Sequence, residues 1–182
     1  MLKPNDSWKW YYDHKDDSLM LDLGGDMVFR VSIPTKNLIP CAYDQCVFTV
    51  DDATVFQTYK ESISHLDISV PRKAELALNA VAASRFHKPM MPKSWFFEAR
   101  PEGCEPVNGD IVTLQTSLGT AKFLVIENCG TASLCMMTEI EPLALSNTKQ
   151  MAFCDTIKVM NDRIEHYEQE TSADSLNLAM VG

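Results

Sequence analysis

The chain has 182 residues, 46% hydrophobic and 23% charged, with a formal net charge of -9. That length suits one domain or two small ones and can bury a core that needs no disulfide or metal staple. Recurrent Leu, Val, Ile and aromatic residues exclude disorder for the bulk of the chain, and the acidic balance excludes a general nucleic-acid binder.

The longest apolar runs, such as Phe123-Leu124-Val125-Ile126, fall far short of the ~20 residues of a membrane span. The opening Met-Leu-Lys-Pro-Asn-Asp-Ser-Trp has no apolar h-region, so no export signal is expected. Cys41, Cys46, Cys104, Cys129, Cys135 and Cys154 form no C-x-x-C pair and read as reduced thiols of a cytoplasmic protein. Charge is unevenly spread: residues 1–70 are net -5, residues 71–100 net +4 and residues 101–182 net -8. A basic island therefore sits inside an acidic protein.

In chain order, Trp8, Trp10 and Tyr12, then Leu19, Leu21 and Leu23, then Met27, Phe29, Val31 and Ile33 alternate with other residues at the strand period of 2. With turns at Asp13–Asp17 and Gly24-Gly25-Asp26, this predicts a three-stranded antiparallel meander. Residues 34–46, with Pro34 and Pro40, read as a loop. A helix capped by Asp51 or Asp52 follows, with Val55, Phe56, Tyr59, Ile63 and Leu66 on one face. A second opens at Ser69 or Val70, with Pro71 in its first turn and Ala74, Ala77, Leu78, Val81 and Ala82 at helical spacing.

Lys88-Pro89-Met90-Met91-Pro92-Lys93 cannot continue a helix and marks the domain boundary. Short strands are then expected at Trp95–Ala99, Ile111–Thr116, Ala121–Glu127, Ala132–Thr138 and Pro142–Ser146, a pattern suited to a small antiparallel barrel. A last helix is expected from Asp155, with Ile157, Met160, Ile164 and Tyr167 on one face. The fold class is α+β: an N-terminal α/β domain over 1–93, a twisted β-barrel domain with a terminal helix over 94–167, and an acidic, then apolar, loosely held tail over 168–182.

No catalytic or metal-binding constellation emerges. There is no G-x-S-x-G elbow, the cysteine spacings lack zinc-finger partners, and Asp13, Asp16 and Asp17 lack calcium-loop spacing. Gly24-Gly25 is a hairpin corner, not a phosphate-cradling loop, so no cofactor is expected. Trp8, Trp10, Tyr11 and Tyr12 lie in a negatively charged window and read as packing residues rather than a nucleic-acid stacking platform. The strongest site candidate is the linker. Lys88 and Lys93 flank a rigid Pro-Met-Met-Pro unit, followed by Trp95-Phe96-Phe97, residue types that suit an interface anchor.

Trp8-Lys9-Trp10-Tyr11-Tyr12-Asp13, Leu21-Asp22-Leu23, Val50-Asp51-Asp52-Ala53, Lys73–Ala80, Lys88–Trp95 and Asp155–Arg163 together resemble the ZapC family of bacterial cell-division proteins, in order over nearly the whole chain. The resemblance implies a non-enzymatic cytoplasmic protein at the mid-cell division ring. It would bind FtsZ, the tubulin-like GTPase of that ring, promote lateral bundling of FtsZ filaments and stabilise the ring. The family's basic site maps onto Lys88 and Lys93, with Trp95 beside them, and its hydrophobic site onto Leu21. Bundling needs two contact surfaces on a monomer, the expected arrangement here, or one on each subunit of a dimer. Two other classes stay open at this point: a β-barrel module for a nucleotide or other small ligand, and a thiol-dependent enzyme.

Overall fold

The structure, a computed structural model, describes residues 2–167. The tail expected over 168–182 lies outside the described residues.

The alternating N-terminal segments form β1 (Lys9–Asp13), β2 (Ser18–Gly24) and β3 (Met27–Arg30). A short β4 (Cys46–Val47), missed in the segment read as loop, completes an antiparallel sheet of order β3-β2-β1-β4. Gly24 pairs with Met27, leaving the two-residue loop Gly25-Asp26. Both of its residues have positive φ, 56° and 67°, as a type I′ hairpin requires.

Helix α1 (Val50–Ile63) starts earlier than the acidic pair suggests, because Thr49 is its cap. Thr49 accepts from the Asp52 N–H (3.1 Å) while Asp52 Oδ2 accepts from the Thr49 N–H (2.9 Å), a reciprocal capping box. Helix α2 (Val70–Phe86) starts where expected, with Ser69 as cap and Pro71 in the first turn. Both helices pack on the sheet in a core that includes Trp8, Trp10, Leu19, Leu21, Phe56, Tyr59, Leu76, Val81 and Phe86.

Residues 94–167 contribute β5 (Ile111–Thr116), β6 (Gly119–Asn128) and β7 (Ala132–Met137), then a small hairpin of β8 (Leu143–Ala144) and β9 (Gln150–Met151), then β10 (Thr156–Met160) and β11 (Glu165–His166). The main sheet is antiparallel, of order β10-β7-β6-β5-β11. Its centre is buried on both faces. Leu124, Ile126, Leu134 and Met136 join the core around the helices, while Phe123, Val125, Cys135 and Met137 build a second core with Val112, Leu114, Ile157, Val159 and Ile164. This two-sided burial makes β7 buried at every position rather than at alternate ones, Ser133 being its one polar residue. The molecule is thus layered: four-stranded sheet, helices, five-stranded sheet.

The five-stranded sheet is curled. Its edge strands β10 and β11 are joined by the 3-10 turn Asn161–Arg163. That connection reaches at most ~18 Å even if extended, against roughly 19 Å between the edges of a flat sheet. The linker spans the gap. Lys93 N–H donates to the Lys158 carbonyl of β10 (2.8 Å), and Glu98 N–H to the Gln115 carbonyl of β5 (2.7 Å). No ladder joins β10 to β11 among the described residues.

Two expectations are corrected. The segment from Asp155 is not a helix: Thr156–Met160 is β10, and Ile157 and Val159 point into the second core at period 2. Thr156, Ile157 and Val159 are β-branched and fit a pleated surface, and the edge of β7 supplies the pairing that helical spacing could not reveal. The strand expected over Trp95–Ala99 does not form: Ser94–Phe96 is a 3-10 turn, because Ser94 turns back onto β10, where its Oγ accepts from the Met160 N–H at 2.8 Å.

Candidate functional site

Pro89 forces the residue before it out of helical geometry, and α2 ends at Phe86 with His87 extended (φ -73°, ψ 133°). The departing chain is strapped to the loop before β4. Ile39 N–H donates to the Phe86 carbonyl (2.8 Å) and Lys88 N–H to the Asn37 carbonyl (2.7 Å). At the far end, the Lys93 and Ser94 bonds to β10 hold the linker again. Arg163 Nε also donates to the Ser94 carbonyl (3.3 Å). The linker between Lys88 and Lys93 is therefore pinned at both ends, and its two prolines limit what lies between.

Met90 turns inward against the helical core, while Lys88, Met91, Lys93 and Trp95 face solvent. Met91 is 82% exposed and Trp95 71%, values that set them apart from ordinary packing residues. Lys88, Lys93 and Trp95 are thus all exposed along one short stretch of chain, the linker strip. Leu21 is not with them. It is fully buried in the four-stranded sheet, paired with Trp10 on β1 and Phe29 on β3.

Beside the linker lies an open cleft of about 590 Å³. It brings Lys93 together with Lys36 and Lys149, two residues that no local pattern singles out. Lys149, remote in sequence, lines the same cleft as Lys93.

His87 ties the two halves together. Its Nδ1 lies 2.7 Å from the Lys88 carbonyl and its Nε2 2.8 Å from Thr156 Oγ1 on β10. A carbonyl only accepts, so Nδ1 carries the proton, and in the neutral ring Nε2 accepts from the Thr156 hydroxyl. Burial holds the His87 pKa below its ordinary value, against the opposing pull of the Lys88 carbonyl. The folded state therefore prefers the neutral ring, and stability is lost as pH falls from about 6.5, where the unfolded histidine begins to bind protons, toward the lower folded value. Thermal unfolding between neutral and mildly acid pH is expected to fall more steeply for wild type than for His87→Gln. Parallel curves would refute this linkage.

Four of the six thiols are wholly or partly withdrawn from solvent. Burial pushes the Cys135 thiol up to about 12 and also raises Cys46, Cys104 and Cys154, which keeps them protonated. Among the described residues, no group of three or more His, Cys, Asp or Glu is placed to hold a metal ion, and no helix is long and apolar enough to cross a membrane.

A strapped linker and a two-sided sheet on a helical layer describe an α+β protein. Comparison with known proteins gives the family. The model for the N-terminal part of the cell-division protein ZapC matches residues 1–88, and that for its C-terminal part matches residues 89–170. The chain is 71% identical over 182 residues to the cell division protein ZapC of Photobacterium profundum, covering all of both chains. It is 47% identical over 164 residues to that of Vibrio cholerae serotype O1, covering 90% of this chain and 91% of the relative. It is 41% identical over 177 residues to that of Proteus mirabilis, covering 96% of each. The chain belongs to the ZapC family of cell-division proteins.

Proposed function

We propose that the protein binds FtsZ through the linker strip, promotes lateral association of FtsZ filaments and acts in the cytoplasm at the mid-cell ring without catalysing a reaction. The observation that carries this reading is the strip itself. Two lysines and two large apolar side chains stand outward on a segment pinned at both ends, in a family named for cell division. A pinned segment loses little entropy on binding, and its charges meet the partner at a fairly fixed separation. Burial and the raised pKa of Cys135 and Cys154 weigh against a nucleophile at those two positions. Lateral bundling by a monomer requires a second contact surface. Leu21 contributes to the contact by shaping the sheet, because its side chain is buried.

Co-sedimentation with FtsZ polymers, with and without GTP, tests the reading. Lys88→Glu and Lys93→Glu are each expected to weaken binding about 5-fold or more at low salt, since reversal replaces attraction by repulsion. Their melting temperatures should match wild type, because both side chains are exposed. Raising salt should shrink the difference, the Debye length being ~8 Å at physiological ionic strength. The control is Lys60→Glu. Lys60 shares a hollow with Lys73 near the start of α2, and roughly 20 Å of helix separate Lys73 from His87. Equal pelleting of wild type and both linker variants at low salt would overturn the proposal.

A further inference from the structure

Strand β11 sets the direction in which the chain leaves the five-stranded sheet. It runs antiparallel to β5, with Glu165 opposite Thr113 and His166 opposite Val112, and the Tyr167 N–H donates to the Ile111 carbonyl at 3.2 Å. Chain beyond Tyr167 therefore heads past the start of β5. There the sheet meets α1: a Cβ on Gly109 would lie 3.3 Å from Thr58 Cγ2 and 3.4 Å from Ser62 Oγ. Tyr167 lines a small hollow of about 190 Å³ with Ser62, His65, Leu66, Ile111 and Lys122. His65 also lines a larger hollow of about 600 Å³, which holds Lys60, Lys73 and Val70. The chain at Tyr167 thus points onto the corner between α1 and α2.

That corner is basic and partly apolar. No carboxylate pairs with Lys60, Lys73 or Lys122 among the described residues. Lys73 Nζ donates to the Ser64 carbonyl at 2.7 Å, and Lys122 Nζ stands 4.7 Å from the centroid of the Tyr167 ring. Glu61 shares the larger hollow, but Gln57 Nε2 donates to its Oε1 at 3.0 Å. The first turn of α2 carries no acidic residue to meet the positive end of its dipole. Val70, in that turn, is 58% exposed and offers an uncovered apolar surface.

Residues 168–182, which follow Tyr167 in sequence, complement this corner. They contain Glu168, Glu170 and Asp174 and no basic residue, then Leu176, Leu178 and Met180. All six positions are even-numbered, so an extended segment carries them on one side. The acidic residues come first, nearest Lys122, and the apolar ones after. Extended, residues 168–175 reach ~27 Å. Lys60 lies only ~8 Å along the helix direction from His65, so the reach is ample.

We propose that residues 168–182 dock on their own chain over the corner between α1 and α2. Glu168, Glu170 and Asp174 pair with Lys122, Lys60 and Lys73, and Leu176 and Leu178 cover Val70. The segment is thus a built-in occupant that shields both this corner and its own apolar residues. The inference stands apart from the FtsZ assignment, because it uses neither the linker strip nor the cleft beside it.

The test uses the full chain labelled with 15N. Leu176→Ser/Leu178→Ser should shift the amide signals of Lys60, His65 and Val70 and leave those of Lys36 and Lys93 in place. Lys60→Glu/Lys73→Glu should shift the amide signals of residues 176–180. Adding Glu168→Lys/Glu170→Lys to that variant should return those signals toward their wild-type positions. A second measurement follows a fluorescein-labelled peptide of residues 168–182 by anisotropy. It should bind Leu176→Ser/Leu178→Ser at least about 5-fold more tightly than wild type, whose own segment competes at high effective concentration. Adding Lys60→Glu/Lys73→Glu to that chain should weaken peptide binding roughly 10-fold, and adding Lys93→Glu should leave it unchanged.

Equal peptide binding by wild type and Leu176→Ser/Leu178→Ser, with the signals of Lys60, His65 and Val70 unmoved, would overturn the inference. Weaker peptide binding on adding Lys93→Glu but not Lys60→Glu/Lys73→Glu would place the segment in the linker cleft and overturn it too. So would loss on dilution of the amide-shift difference between wild type and Leu176→Ser/Leu178→Ser, because the segment would then lie on a second copy. Unmoved signals in β6 and β7 would show that every variant folds.

Discussion

Replacing Leu21 by Ala is expected to lower the unfolding free energy by about 2–5 kcal/mol, the range for a large apolar side chain deleted from a packed core. Leu21 has no exposed surface. It lies between Trp10 and Phe29 across the β1–β2–β3 ladder and belongs to the core cluster that also holds Leu19, Phe56 and Phe86. Truncation leaves a void that the flanking strands cannot close without shifting, because both neighbours are pinned by main-chain pairing. Leu21→Met, which keeps volume, should cost less than ~1.5 kcal/mol. Urea unfolding gives both numbers, and FtsZ co-sedimentation well below the transition midpoint gives the second readout. Loss of stability with binding retained by the folded fraction makes Leu21 a core residue only. Loss of binding at wild-type stability would show that the sheet opens to present Leu21 to the partner. Wild-type values in both measurements would contradict this packing.

Much of this fold was legible because burial leaves a period in the chain. Trp8, Trp10, Leu19 and Leu21 alternate in sequence and are all buried. Helix α2 announces itself by Ser69, Pro71 and the Ala and Leu spacing, and begins where those signals put it. The start of α1 was readable too, from Thr49 and Asp52 three residues apart, but the capping box hides behind the more conspicuous Asp51-Asp52 pair. The misread helix has a different origin. Ile157, Met160 and Ile164 satisfy helical spacing, while Ile157 and Val159 satisfy strand spacing. The choice falls to the edge of β7, which lies well back in the chain and supplies the hydrogen bonds.

The site divides in the same way. Lys88, Lys93 and Trp95 stand out locally because prolines interrupt the chain around them, and all three are exposed. Lys36 and Lys149 carry no local mark. Only the packing of the 34–40 loop and the β8–β9 hairpin against the linker brings them to Lys93.

Asp52→Ala is expected to have the largest effect on stability, about 3–5 kcal/mol, as for removing one partner of a buried ion pair. The Asp52 side chain is 7% exposed, and three donors converge on its Oδ2: Thr49 N–H at 2.9 Å, Trp10 Nε1 at 3.1 Å and the Arg85 guanidinium. Those donors come from the α1 cap, β1 and α2, so one carboxylate oxygen ties the sheet to both helices. Its removal strands the Trp10 N–H, on a residue with no exposed surface, and undoes the α1 cap. Arg85 loses less, because its Nη1 also donates to the Val47 carbonyl at 2.9 Å and its side chain is 29% exposed. Asp52→Asn keeps an acceptor at the same position but surrenders the charge, so it should cost roughly 1–3 kcal/mol. Arg85→Ala should be milder than Asp52→Ala, since the carboxylate keeps two N–H donors. Urea unfolding of the single variants and of Asp52→Ala/Arg85→Ala closes a double-mutant cycle, whose coupling should be at least ~1 kcal/mol for groups in direct contact. If Asp52→Ala unfolded at the wild-type midpoint, water would have to satisfy the Trp10 and Thr49 donors in its place, and the carboxylate could not be what joins the three elements.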